Sequence, residues 1–320
     1  MMNENQMTKH ATGTGAKKHA TATSAKKYAT ATSAKKYAPL TLIVAGIAAI
    51  LWASAFPAIK VALQEFSPYH VALLRYCAAS IVLAVIALAK RLPLPAAKDL
   101  PAFLLLGLIG FTVYNIALNY GQVTVPAATS SFIVASAPIW MAIIAAVLLG
   151  EKLKPFGWIG IILSFAGVGI IALGSAGGIQ LNVRALAILG ASLASALYSL
   201  GQKPLLKRYS PLQIVTYAIW CGTLLLMPFG GGVIDGIRNA SLATILSIIY
   251  MGVFPGAIGY VLWSMVLSRM PASKAGVFLY MIPVIALVIS WLWIGEVPSL
   301  ISALGGALII AGVITVNTAG

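Results

Sequence analysis

Ten apolar runs, each close to the length of one bilayer crossing, fill the chain from about residue 40 to residue 318. They fall near 40–60, 69–89, 100–120, 126–149, 155–174, 185–202, 212–229, 242–266, 272–294 and 299–318, separated by short polar or Gly/Pro breaks. In lipid, only helices and closed barrels satisfy every backbone polar group. Runs of about 20 apolar residues are helix-length rather than strand-length. Composition agrees, since 60% of the 320 residues are hydrophobic and 8% are charged. Soluble domains carry roughly a quarter charged residues, so a water-soluble fold of this size would have too little charge to cover its surface. The sequence predicts an all-α integral membrane protein with ten transmembrane helices. Ser67-Pro68 and Ser210-Pro211 read as N-cap plus first-turn proline of the second and seventh helices.

The formal charge of +15 is not a nucleic-acid footprint, and no nucleic-acid partner is expected. Seven of the 21 basic residues lie in the first 36 positions, and most others sit between apolar runs. Residues 11–37 repeat a nine-residue unit, ATGTGAKKH and then ATATSAKKY twice. A segment of Ala, Thr, Ser and Lys buries too little apolar surface to fold alone. Residues 1–38 are therefore expected to be a disordered basic tail. It either helps to fix orientation or touches anionic lipid, at about 1 kcal/mol per basic residue near the surface. With the N-terminus inside, the cytoplasmic segments hold Lys90, Arg91, Lys98, Lys152, Lys154, Lys203, Lys207, Arg208, Arg269 and Lys274. The opposite side holds Lys60, Arg184 and Arg238. Basic residues favour the cytoplasmic side, so a multi-pass protein of the cytoplasmic (inner) membrane is expected, with both termini inside. Cys77 and Cys221 lie within apolar runs and read as small buried thiols.

The two halves of the apolar region resemble each other. An offset of 145 residues aligns Pro126 with Pro271, Ala127 with Ala272, Pro138 with Pro283 and Gly150-Glu151 with Gly295-Glu296. It also aligns Gly160 with Gly305 and Gly167 with Gly312. Offsets of 144 and 143 pair Gly46 with Gly190, Cys77 with Cys221, and Ser67-Pro68 with Ser210-Pro211. Each copy holds five runs, an odd number, so the copies must enter the membrane with opposite orientations. The charges agree. Lys152 and Lys154 follow Gly150-Glu151, whereas Val297 and Ser299 take those places in the second copy. Arg269 and Lys274 stand where the first copy has Thr124 and Thr129. The expected organisation is a tail (1–38), a first five-helix repeat (39–175) and a second, inverted five-helix repeat (184–320). Such repeats typify alternating-access carriers, with the solute site near the midplane.

The Trp52-Ala53-Ser54-Ala55-Phe56 stretch with Lys60, Arg75 in the second run, and the twin Pro-Ala…Pro…Gly-Glu…Gly…Gly patterns at 126–167 and 271–312 carry a family resemblance. The chain resembles the EamA-type branch of the drug/metabolite transporter superfamily over about 40–318. That resemblance implies a bundle in which helices one, three, four, six, eight and nine surround a central cavity. It also implies export of amino acids, related metabolites or drugs.

Polar and aromatic residues at helical spacing supply the site candidates. Ser192, Ser195, Ser199 and Gln202 share one face of the sixth run, with Tyr198 beside it. Asn115, Asn119 and Gln122 do the same in the third, next to Tyr114. Thr129 and Ser136 come from the fourth run, Tyr260, Trp263 and Ser264 from the eighth, Tyr280 from the ninth and Trp52 from the first. Such groups are costly against lipid and should point inward, either as a hydrogen-bonding cavity for a polar solute or as bonds between packed helices. Arg75 is a permanent charge within a span. It either attracts a carboxylate, or reaches the outer surface or pairs with Glu65; a peripheral second helix favours the last two. Pro138 and Pro283 interrupt the fourth and ninth runs and are either hinges or fixed kinks. The Gly160/Ser164/Gly167 and Gly305/Gly306/Gly312 stripes allow close helix approach, within a monomer or in a weak homodimer.

All six acids, Glu4, Glu65, Asp99, Glu151, Asp235 and Glu296, fall outside the span centres. Proton-driven cation exporters usually use a buried carboxylate, so facilitated movement, or coupling through an unconventional site, is favoured over a proton-coupled multidrug exporter. No nucleotide-binding GxxxxGK[ST] loop occurs, and no cofactor is expected. A membrane enzyme would need clustered His, Asp or Cys, which the sequence lacks. A non-transporting scaffold would have no use for twin inverted copies with polar inner faces.

Overall fold

Two of the apolar helices start as their sequences dictate. The Ser67 hydroxyl accepts the His70 N–H ahead of Pro68. Ser210 and Gln213 form a reciprocal capping box ahead of Pro211. A computed structural model describes residues 39–149, 155–175, 178–179, 182–270 and 272–319. The basic repeat tail, Gly150-Glu151 with Lys152 and Lys154, and Pro271 lie outside the described residues.

In chain order the apolar helices are α1 (Pro39–Ala62), α2 (Pro68–Ala89), α3 (Ala97–Gln122), α4 (Ala127–Ile144), α5 (Pro155–Leu173), α6 (Val183–Lys207), α7 (Pro211–Phe229), α8 (Leu242–Arg269), α9 (272–294) and α10 (Leu300–Ala319). Seven of them, α1–α4 and α6–α8, are long and apolar enough to cross a membrane by length and composition. The other three contain shorter apolar helical segments. A short helix, Val233–Asn239, lies between α7 and α8. Gly174–Ser175 pairs antiparallel with Gly178–Ile179 between α5 and α6; the described fold is otherwise all-helical. Large apolar side chains cover the outside, with Leu88 at 79%, Leu292 at 71% and Leu224 at 67% exposed. An apolar exterior of this kind suits lipid, not water.

Close helix contacts come in matched pairs. A Cβ built on Gly167 of α5 would fall within 3.0 Å of Gly305 O and Ile309 N of α10. A Cβ on Gly312 would meet Gly160 O and Ser164 N in the same way. Shifting 167, 305 and 309 by 145 residues, forward or back, gives 312, 160 and 164. The Ser164 hydroxyl donates to Ile309 O, its own counterpart, at 2.9 Å. A second set repeats the pattern. A Cβ on Gly107 of α3 would lie 2.6 Å from Gly222 N and 2.7 Å from Ala218 O of α7. One on Gly252 of α8 would lie 3.0 Å from Ala79 N and 2.5 Å from Arg75 O of α2.

Each repeat thus lays its third helix on the other's second. Such reciprocity is what a two-fold relation requires. Equivalent helices also run antiparallel: 160 and 164 face 312, whereas 167 faces 305. On α2 and α7, Ser80 meets Thr223 at 2.8 Å while Tyr69 stacks on Phe229. The small-residue stripes of α5 and α10 are therefore spent within one chain. Of the two uses expected for them, this is the packing within a monomer.

The pairing can be trapped. In a Cys77→Ser/Cys221→Ser background, Ser80→Cys with Thr223→Cys is expected to cross-link under mild oxidation, because the two hydroxyl oxygens touch. A shift in gel mobility reads the bond. The pair Ser80→Cys with Phe229→Cys should stay reduced.

Backbone irregularities are matched too. Residues 108–113 of α3 and 252–259 of α8 are wound as π-helix. Helix α4 breaks at Ala135–Ser136, just before Pro138. Helix α9 runs through a tight 3-10 turn, Val277–Tyr280, just before Pro283. Proline removes one N–H donor and crowds the preceding turn, so both breaks fall where sequence places the prolines.

Candidate functional site

Three of the four irregular stretches contribute to the wall of one cavity, and the fourth, the π-stretch of α8, ends just before Tyr260 in that wall. Its wall takes Gly110 and Tyr114 from α3, Val134 and Ala135 from α4, Tyr260 from α8, and Leu279 and Ile282 from α9. Trp52 and Phe56 of α1 and Ser195, Tyr198 and Ser199 of α6 complete the ring. Non-helical backbone at membrane depth is tolerated where it lines a cavity, and π-stretches concentrate at functional positions. The cavity volume is about 50 Å³, counted as the space open to a water molecule's centre. One water needs about 10–15 Å³ by that measure, so there is room for about three to five. A solute of amino-acid size enters only if the walls part.

The aromatic side chains of the wall pack on one another and on further rings behind it. Trp52 contacts Tyr260 and Trp263 at centroid distances of 5.1 and 5.3 Å. Phe111 contacts Tyr198 at 5.1 Å and Tyr260 at 4.8 Å. The Trp52 indole N–H donates to Pro255 O at 3.2 Å, inside the π-stretch of α8. The irregular backbone of one repeat thereby fixes an aromatic of the other.

Of the residues expected at the site, Trp52, Tyr114, Ser195, Tyr198, Ser199, Tyr260 and Arg75 line the cavity. The others stand behind the wall and bond within the protein. Asn119 donates to Pro68 O at 3.0 Å. Ser136 bonds Ser192 at 2.9 Å. Gln202 accepts from Ser264. Trp263 donates to Ser199 at 3.4 Å, and Tyr280 donates to Val313 O at 3.4 Å. Asn115 holds Arg75, as set out below.

Arg75 itself corrects two expectations. It does not reach the surface, being 3% exposed, because α2 is covered there by α3 and by the π-stretch of α8. Nor does it pair with Glu65. The Ser241 hydroxyl and N–H hold that carboxyl below its usual range, the N–H at 2.8 Å. The peripheral place implied for the second helix therefore does not hold at this turn.

Two groups had escaped the sequence reading. Gly110 opens the wall beside the Tyr198 ring. Its signal was available, since Gly107-x-x-Gly110 matches Gly252-x-x-Pro255 at the same 145-residue offset. The second is a contact at one end of the bundle. Lys60 Nζ lies 3.9 Å from the Glu296 carboxylate, whose other oxygen accepts the Ala127 N–H at 2.7 Å. A carboxylate from the second repeat thus caps α4 of the first. At the opposite end, Asp99 pairs with Arg208 at 2.9 Å, and Lys203 donates to Leu267 O and Met270 O.

A cavity between two copies of one helical repeat, ringed by broken helices under a lipid-facing exterior, is the architecture of membrane transport proteins built from repeats. The EamA-like transporter family matches residues 39–173 and again residues 183–318, and the chain belongs to that family. It is similar to a probable terminal-alkyne amino-acid exporter of Streptantibioticus cattleyicolor, 37% identical over 271 residues, covering 85% of this chain and 91% of the relative. It is also similar to an uncharacterized transporter, YdfC, of Bacillus subtilis, 40% identical over 82% of this chain and 86% of the relative. An uncharacterized transporter of Archaeoglobus fulgidus is 34% identical, over 85% of this chain and 96% of its own. A solved crystal structure at 20% identity superposes with a TM-score of 0.63, covering 89% of this chain and 100% of the other. At that identity it speaks for the fold alone. The chain is thus a multi-pass membrane transporter and not an enzyme.

Proposed function

We propose that the chain exports amino acids or related small metabolites across the cytoplasmic membrane by alternating access. In this reading all ten apolar helices cross the bilayer, as inverted five-helix repeats at 39–175 and 184–320, with both termini cytoplasmic. The carrying observation is a cavity between the repeats that takes wall residues from the irregular stretches of α3, α4 and α9, and from α8 just beyond its π-stretch. Paired discontinuous helices at a repeat interface are where carriers bind solute and flex. The breaks before Pro138 and Pro283 are the proposed hinges. Similarity to the Streptantibioticus relative, a probable terminal-alkyne amino-acid exporter, supports the substrate class. Among the described residues no acid lines the cavity, which favours facilitated movement over a proton-coupled exporter of organic cations.

The test is flux. Purified protein in liposomes is expected to move labelled amino acids down their gradient with equal pH on both sides. Tyr198→Ala should lower that flux at least about tenfold at normal membrane abundance, since it removes a wall of the cavity. Absence of flux across all 20 amino acids and their common metabolites would sink the reading; strict dependence on a proton gradient would sink its facilitated form.

A further inference from the structure

We propose that Arg75 anchors the carboxylate of the transported solute, so that the cavity selects small monocarboxylates with an apolar or aromatic body. The proposal rests on the carrier reading above for its physiological meaning, but the binding claim stands on its own geometry.

The guanidinium is buried in the cavity wall and held from one side. One of its Nη groups donates to Asn115 Oδ1 at 3.1 Å. Asn115 is itself fixed, because its amide donates to Tyr76 Oη at 2.8 Å and to Phe111 O at 2.9 Å. Phe111 lies in the π-stretch of α3. The Tyr76 ring packs against the guanidinium at 5.4 Å. These contacts fix the orientation of the group and satisfy one Nη. The Nε–H has no partner although it is buried. The Nε edge of an arginine is the fork that takes a carboxylate through two parallel hydrogen bonds.

No counter-charge reaches this group among the described residues. Glu65 is bound to Ser241, Asp99 to Arg208, Asp235 to Arg238, and Glu296 to Lys60 and Ala127. A buried cation without a partner is strongly unfavourable unless something else neutralises it. Here the neutralising charge arrives with the ligand. Arg75 is the cavity wall's single permanent charge among the described residues, which matches one carboxylate rather than a doubly charged phosphate. It also repels organic cations. The same wall holds Trp52, Tyr114, Tyr198 and Tyr260, whose rings accept an apolar side chain and whose faces attract an ammonium group.

The experiment uses the full chain, first in detergent and then in liposomes. The probes are L-leucine, L-phenylalanine and L-methionine, each with its carboxamide and its decarboxylated amine. Binding is read by thermal shift and by tryptophan fluorescence. The wild type is expected to bind the acids and to bind amides and amines on the order of 100-fold more weakly, the scale of removing one partner of a buried charge pair. Arg75→Met should lose acid binding, and Arg75→Lys should retain part of it. Equal affinity for acids and amides in the wild type overturns the proposal without any variant that must fold. Acid binding that survives Arg75→Met, or no binding of any of the three acids, overturns it too. Acid-selective binding without flux removes the carrier reading and leaves the carboxylate site standing. Flux of acids and amides at one rate does the reverse.

Discussion

Gly312→Leu is expected to abolish the folded protein, whereas Gly169→Leu is expected to be tolerated. Both glycines lie in the α5–α10 pair, and only their surroundings differ. A Cβ at Gly312 would meet the backbone of Gly160 and Ser164 closer than real Cβ atoms stand, while one at Gly169 meets nothing within 4 Å. Backbone cannot rotate away as a flexible side chain can, so α5 and α10 would have to separate along their length. Helix association in lipid lacks a hydrophobic driving force and depends on close packing. Overpacking a tight contact costs about 1–3 kcal/mol or more. A leucine against two backbone segments lies at or beyond the upper end, about 3 kcal/mol or more, a large fraction of a marginal stability. Gly167→Leu should behave as Gly312→Leu does, because the two sites are equivalents in one pseudo-symmetric contact. Fluorescence-detected size exclusion after mild extraction reads the outcome. A monodisperse Gly312→Leu peak equal to that of Gly169→Leu would show that the contact is not needed for folding.

Most of the architecture was legible because lipid imposes it. Helix starts at Ser67-Pro68 and Ser210-Pro211 follow from hydrogen-bond chemistry within four residues, which a sequence displays directly. The repeat was legible because Gly167 and Gly312 can be replaced by nothing larger, and so keep their 145-residue offset. The breaks in α4 and α9 were legible through Pro138 and Pro283. The π-stretches were less so. Gly110 and Pro255 are both weak helix formers, but neither residue alone dictates one extra residue in a turn. Site membership was partly legible. Ser195, Ser199 and Tyr198 share a face with Gln202, yet a face is wider than a cavity, and depth along the helix sends Gln202 to Ser264. Arg75 was misplaced for a different reason. Its distance from the helix end suggested escape to the surface, but escape depends on what covers that turn. The cover is the irregular backbone of α8 at Gly252, contributed by the other repeat. Long-range packing of this kind has no local signal.

Glu296→Gln is expected to unlatch the outer end of the carrier. On the proposed orientation, Lys60, Glu296 and the start of α4 all lie outside, above the cavity. The Glu296 carboxylate ties the second repeat to the first twice, through Lys60 at 3.9 Å and through the Ala127 N–H at 2.7 Å. The ion pair is about a fifth exposed on the Lys60 side and a quarter on the Glu296 side, so by itself it contributes under about 1 kcal/mol. A negative charge at a helix N-terminus adds about 0.3–1 kcal/mol. Losing the one carboxylate charge from both contacts while keeping a neutral acceptor then costs about 1.4 kcal/mol, a tenfold shift toward the outward-open state. The measurement is the labelling rate of Ser195→Cys in the cavity wall by a membrane-impermeant maleimide added outside cells, in the Cys77→Ser/Cys221→Ser background. Glu296→Gln should label about ten times faster than its parent. Lys60→Met should label faster by a smaller factor, because Glu296 keeps its bond to Ala127. An unchanged rate in Glu296→Gln would mean that the two repeats are held together at that end by apolar packing alone. Faster labelling from the cytoplasmic side instead would place Lys60 and Glu296 inside and reverse the orientation of the whole bundle.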